Sequence, residues 1–364
     1  MKKLFFMRTH VVLWILLIIL SSPVMSQPYQ KIIRTICYFS DQPSTKDVEK
    51  LYSLKKQLET KGFVVQTLRL VSKGKDIQIL EENIIDDSIM LGIGTVSFHD
   101  ASQNRKIFYN SRTSMNVDLT NEVINFNHVE FLFGMMNENP RKMFDFTYVF
   151  NNPNNTPYFP AANFKKEGYS IGLQPVDMSE GCTSLDQWLN RMKIAWDEIH
   201  SIFKRDRKFL GIDSCTAPLY RGNGSLVGFV KRLGYSFSES ATTDMWAKIT
   251  TFIKTENPKP VGLNGLMLPC LEDFELADEY EAGNFSIERN LFLSLQSGLG
   301  VDTYPIGINE DPERVLEILK LVQSLSNKYR KPLSVRFVSD GKSKIGMKTN
   351  FNNQYLKDVV IRPL

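Results

Sequence analysis

Apolar positions along the chain switch between two periods. Residues 32–39 are a nearly unbroken run of β-branched and aromatic side chains, which predicts a strand. Ser44 then opens a stretch in which Val48, Leu51, Leu54 and Leu58 recur at three- and four-residue steps, which predicts a helix ended by Gly62. Residues 63–70 read as a second strand, so the chain opens on a βαβ unit, with the parallel pairing and right-handed crossover that such a unit demands. Ile77, Leu80, Ile84 and Ile85 suit another helix, 89–93 a strand, 119–136 a helix and 144–150 a strand. Ser184 caps a long amphipathic helix through Lys204, on which Leu185, Trp188, Leu189, Met192, Trp196, Ile199 and Phe203 form one stripe of ordinary core packing. A strand at 209–212, helices at 226–233 and 245–253, and a buried strand at 266–268 follow. Helices at 271–281, 286–296 and 312–329 precede a late strand at 333–338. Strands alternating with helices predict an α/β fold with a mostly parallel sheet or barrel. No repeat or polar linker divides residues 27–364, which are expected to form one domain.

The amino terminus departs from this pattern. Lys2, Lys3 and Arg8 precede an apolar run at 11–20, and Val24 and Ser26 provide small residues at −3 and −1 of a cleavage point before Gln27. Residues 1–26 are therefore expected to be a secretory signal, since the run is far shorter than the roughly 18–20 residues that span a bilayer. The first cysteine, Cys37, sits inside an apolar stretch, which argues against a lipoprotein anchor. A secreted or periplasmic protein without a stable membrane anchor is expected. Lys2, Lys3 and Arg8 account for three units of the formal charge of +4, leaving +1 beyond the signal. The basic cluster at 204–208 lacks interleaved aromatics and suits a solvated helix end, so nucleic acid is not an expected partner. The sequence leaves a homo-oligomer open.

Cys37 and Cys270 lie in apolar runs and read as buried thiols, whereas Cys182 and Cys215 lie in polar contexts and could pair in an oxidising compartment. Asn154, Asn223 and Asn284 begin glycan-acceptor triplets, relevant only in a eukaryotic host.

Ligands in α/β folds bind beyond the carboxyl ends of strands, so residues just after each apolar run hold the candidate chemistry. Asp213 with Cys215, Glu272 with Asp273, Asp302 after Gly298 and Gly300, Tyr158 with Asn163, and Lys342 with Lys344 all occupy such positions. Asp213, Glu272 and Asp302 are candidate proton handlers, and the others candidate substrate contacts. Each also has a plainer role. Acidic residues opening a helix complement its dipole by about 0.3–1 kcal/mol, which suits Glu272 and Asp273, while Asp213 could bond turn amides. Cys215 as a nucleophile would need a base, and no motif links it to His99, His128 or His200. The histidines show no metal spacing, and Gly298-Leu299-Gly300 lacks the rest of a dinucleotide fingerprint, so neither metal nor cofactor is expected. Lys342 and Lys344 on a glycine turn could hold an anion or serve solubility. Arg336, inside an apolar strand, needs Glu272, Asp302 or an anionic ligand as partner.

Tyr158-Phe159-Pro160-Ala161-Ala162, Tyr169-Ser170-Ile171-Gly172-Leu173, Gly211-Ile212-Asp213, Ala217-Pro218, Gly265-Leu266-Met267-Leu268-Pro269 with Glu272-Asp273, and Gly298-Leu299-Gly300-Val301-Asp302 resemble the signature segments of the DUF711 family, also called UPF0210. The resemblance runs from about Ile32 to Val360 and is specific in combination. It implies a fold similar to the partly open ten-stranded α/β barrel of glycyl radical enzymes, helices outside, with no assigned activity. The radical chemistry itself is not implied, because Arg336-Phe337-Val338-Ser339-Asp340-Gly341-Lys342 is not a radical-bearing glycine loop. Asn163-Phe164 depart from a family pattern that carries a His after the Phe-Pro-Ala-Ala segment, and the signal departs from a usually cytosolic family. Two functions fit: acid/base chemistry on a small anionic or polar metabolite, or an exported protein that binds such a small-molecule ligand without turnover.

Overall fold

The computed structural model describes residues 29–73 and 76–364; the expected signal lies outside them. Nine strands form one sheet: β1 Lys31–Ser40, β2 Phe63–Ser72, β3 Ile89–Val96, β4 Thr113–Asp118, β5 Phe146–Phe150, β6 Gly168–Leu173, β7 Phe209–Asp213, β8 Gly300–Pro305 and β9 Leu333–Val338. Their order is β7-β6-β1-β2-β3-β4-β5-β9-β8. β1 through β5 run parallel, and the crossover helices expected from the alternation lie between them in sequence. The fold is thus mixed α/β with a mostly parallel sheet.

Two joints are antiparallel, β1 with β6 and β5 with β9. β6 and β7 at one end, and β8 and β9 at the other, therefore run against the central five strands. The sheet is not closed by ladders. The residues at 266–268, expected to form a buried strand, instead lie in a stretch, 260–269, that makes isolated bridges, because Pro260, Gly262, Gly265 and Pro269 interrupt any continuous ladder. These bridges reach both outer strands: Pro260 pairs with Ile212, and Pro269 pairs with Asp302.

Alternation along the strands divides the core. On β1, Ile36 and Tyr38 join the large cluster that holds the stripe of the helix Leu185–Phe203, including Trp188, Met192 and Trp196. Cys37 and Phe39 face the other way, onto Val71, Ala162 and Phe159. On that second face the chain from Pro157 to Phe164 crosses the sheet. Glycines make the room: a Cβ on Gly92 of β3 would lie 2.9 Å from Phe159, and one on Gly172 of β6 only 2.7 Å from the Tyr158 ring. Asn116 of β4 donates to the carbonyls of Pro160 and Ala162, each at 2.8 Å, so its buried amide is satisfied by the crossing segment.

All four cysteines are buried and free, so Cys182 and Cys215 do not pair. Cys182 instead donates to the Met178 carbonyl at 3.6 Å.

Candidate functional site

Where the crossing segment meets the ends of the sheet it leaves a cleft with about 70 Å³ of water-accessible space. Five charged residues line it. Arg34 comes from β1, Arg69 from β2, Asp302 from β8, Arg336 from β9, and Glu272 from the turn before the helix Phe274–Glu281. Most of the remaining wall is apolar, including Leu263, Met267 and Leu299.

Arg336 is the hub. Its Nε donates to Asp302 Oδ1 at 2.5 Å, its Nη2 to Glu272 Oε1, and its Nη1 to the Phe144 carbonyl at 3.4 Å, with the guanidinium 5.0 Å from the Phe144 ring centroid. The expected acid partner is therefore present twice. Burial opposes the charge on Arg336, but Asp302 and Glu272 outweigh it and raise the pKa. Glu272 is 6% exposed. Burial pushes its carboxyl up, against the pull of Arg336 and of Arg34, whose Nη2 lies 3.4 Å from Oε2. Burial and the two arginines thus act on Glu272 in opposite directions, and burial prevails.

Arg69 is different. It is 5% exposed, its Nη1 donates to the Pro157 carbonyl at 3.3 Å, and its guanidinium stacks 4.8 Å from the Phe159 ring centroid. No acidic side chain among the described residues pairs with it, and its buried Nε has no partner. Burial, followed by repulsion from Arg34, lowers its pKa to about 10.

The residues expected from sequence divide into three groups. Glu272, Asp302, Arg336, Gly300 and Tyr158 line the cleft, although the Tyr158 hydroxyl is committed to the Leu173 carbonyl at 2.6 Å. Asp213, Cys215, Asp273, Asn163 and Gly298 sit behind or beside it. Asp213 is fully buried and accepts from Leu263 N at 2.7 Å, Thr156 Oγ1 at 3.0 Å, Asn264 N at 3.1 Å and Cys215 N at 3.2 Å. That is the turn role, and it ties the loop after β7 to the segment carrying Leu263. Burial, then the Asp213 charge, pushes the Cys215 thiol well up, so it stays protonated and unsuited to nucleophilic attack. Asp273 caps Phe274–Glu281 and also accepts from Ser225 Oγ at 2.6 Å and Leu226 N at 2.9 Å; burial nevertheless raises its carboxyl to about 6. The Asn163 carbonyl accepts from Asn155 N at 2.8 Å, and Gly298 N donates to Leu293 O at 2.9 Å.

Lys342 and Lys344 form the third group. Lys342 lines a separate depression with Arg141 and Asp340, and Lys344 is exposed on the same loop. Phe144, which also lines the depression, carries the ring that supports Arg336.

Sequence reasoning missed Arg34 and Arg69. The signal was present, because each interrupts an apolar strand run as Arg336 does, in Ile33-Arg34-Thr35-Ile36 and Leu68-Arg69-Leu70.

A mixed α/β protein with a charged cleft set against one face of its sheet is the class that fold and site define. Residues 98–352 match the family described as "Uncharacterised ACR (DUF711)", and the chain belongs to that family. No curated protein matches the chain.

Proposed function

We propose that the protein is an enzyme performing acid/base chemistry on a small anionic metabolite in this cleft, with Glu272 as the proton-handling group. The observation that carries the reading is the buried Glu272–Arg336–Asp302 cluster: burial holds the Glu272 carboxyl above its ordinary value, which brings it closer to a working acid or base at neutral pH. Asp302 fixes the orientation of Arg336, and Arg336 in turn sets the charge balance of Glu272. Asp213 is assigned to holding the loop and Cys215 to the core. No radical step is required.

Small molecules released from the purified mature protein on denaturation should include an organic acid detectable by mass spectrometry. Returned to fresh protein in D2O, that acid should exchange a C–H proton or give product by proton NMR. Glu272→Gln should keep binding and lose the chemistry by a factor of about 100 or more. Recovery of the acid unchanged from the wild type would instead favour the alternative, a binding protein without turnover.

We also infer that residues 1–26 are removed on export and that the mature protein works outside the cytoplasm. The support is the cationic start, the short apolar run and the Val24/Ser26 pair. Amino-terminal sequencing of the exported protein should begin at Gln27; a sequence beginning at Met1 would contradict this. The segment 260–269 reads further as an incipient tenth strand between β7 and β8, since its bridges reach both; such a strand would turn the sheet into a partly open barrel like that of glycyl radical enzymes.

A further inference from the structure

We propose that Arg69 is the anchor for the carboxylate of the ligand and that the cleft selects a short monocarboxylate with an apolar tail. The inference rests on the reading that the cleft binds a small molecule, and it specifies which one.

Charge complementarity sets the number of negative charges. Arg34, Arg69 and Arg336 face Glu272 and Asp302, so the ionisable residues of the wall carry one excess positive charge when both acids are ionised. Arg336 contacts both acids and Arg34 contacts Glu272, which leaves the excess on Arg69. One carboxylate would neutralise it; a dicarboxylate or a doubly charged phosphate would leave an uncompensated anion in a largely buried space.

The geometry of Arg69 sets where that charge goes. Nη1 is taken by the Pro157 carbonyl and one face of the guanidinium by the Phe159 ring. The buried Nε remains without a partner. The guanidinium lines the cleft with no acidic partner, and its planar donors fit a carboxylate. The wall beyond the charges is apolar, with Leu263, Met267, Leu299, Ala217 and Pro218 available to the tail. At roughly 10–15 Å³ per water, the space holds about five to seven water-sized groups, the size of a three- to five-carbon acid.

The test uses the mature chain, 27–364, and four probes: butyrate, its neutral isostere butyramide, succinate and inorganic phosphate, compared by ligand-observed NMR and calorimetry. Butyrate should bind, and the other three should bind about tenfold or more weakly, the worth of a charge-assisted bidentate pair. Arg69→Met should weaken butyrate by about tenfold or more while leaving butyramide unchanged. Arg69→Lys keeps the charge but not the Nε donor and should fall between; it carries the test if the Met variant does not fold. Butyrate binding equally well to both variants, or more weakly than succinate or phosphate, overturns the anchor while leaving a ligand-binding cleft. Failure of all four probes to bind the wild type overturns the anchor and counts against the ligand-binding reading beneath it.

Discussion

Replacing Arg336 by Met should destabilise the ligand-free protein by roughly 3–5 kcal/mol at neutral pH, the usual cost of stranding buried charge by removing its partner. The guanidinium holds Glu272 and Asp302 together; without it the two carboxylates share a cleft in which Glu272 retains only Arg34, at 3.4 Å. The loss should depend on pH. The Glu272 carboxyl is already raised in the folded protein, chiefly by burial, and losing a neighbouring cation raises it further. A carboxyl whose folded pKa exceeds its unfolded value binds its proton more tightly when folded, so stability falls as pH rises from about 4.3 through the folded value. The gap between variant and wild type should therefore narrow as pH is lowered toward roughly 4.5. Urea melts of both proteins near that pH and at neutrality provide the comparison. A gap of the same size at both would mean that Arg336 contributes packing rather than charge compensation.

Asp213→Ala should cost roughly 3 kcal/mol or more, because four buried donors, three backbone amides and the Thr156 hydroxyl, lose one acceptor group together. Asp213→Asn, which keeps one carbonyl oxygen, should fall between Ala and wild type. Denaturant midpoints measure both. A catalytic Asp213 would instead give a variant of normal stability without activity, and an Ala variant as stable as wild type would refute the structural assignment. Distance from the cleft makes the difference legible: the residue holds the loop that carries Leu263 and does not itself line the space.

The two periods of the apolar pattern were enough to read β1, β2, β3, β5, β7 and β9 and the long helices, because those elements bury continuous apolar faces. β4 was invisible since Ser114 and Asn116 are buried polar residues, and only the crossing segment shows how the Asn116 amide is satisfied. Asp302 is expected just beyond a strand, but Gly300, at a φ of +108°, begins β8 and places Asp302 within it. Expecting the site beyond shared carboxyl ends worked only partly. The antiparallel joints turn β6 through β9 around, so their carboxyl ends lie at the opposite edge from those of β1 through β5. Arg336 was legible because a charge inside an apolar strand needs a partner, and the same logic applied to Arg34 and Arg69 would have completed the charged wall.

The outer strands of an open sheet expose N–H and C=O groups that can recruit another chain. Here one stretch of backbone occupies part of both borders. Ile212 donates to the Lys259 carbonyl at 2.8 Å and Val261 donates back to Ile212 at 3.1 Å, while Cys270 donates to the Asp302 carbonyl at 2.9 Å. Leu263 and Met267 of that same stretch form part of the cleft wall. Lifting this stretch would remove part of the cleft wall and bare backbone N–H and C=O groups of β7 and β8 in the same movement.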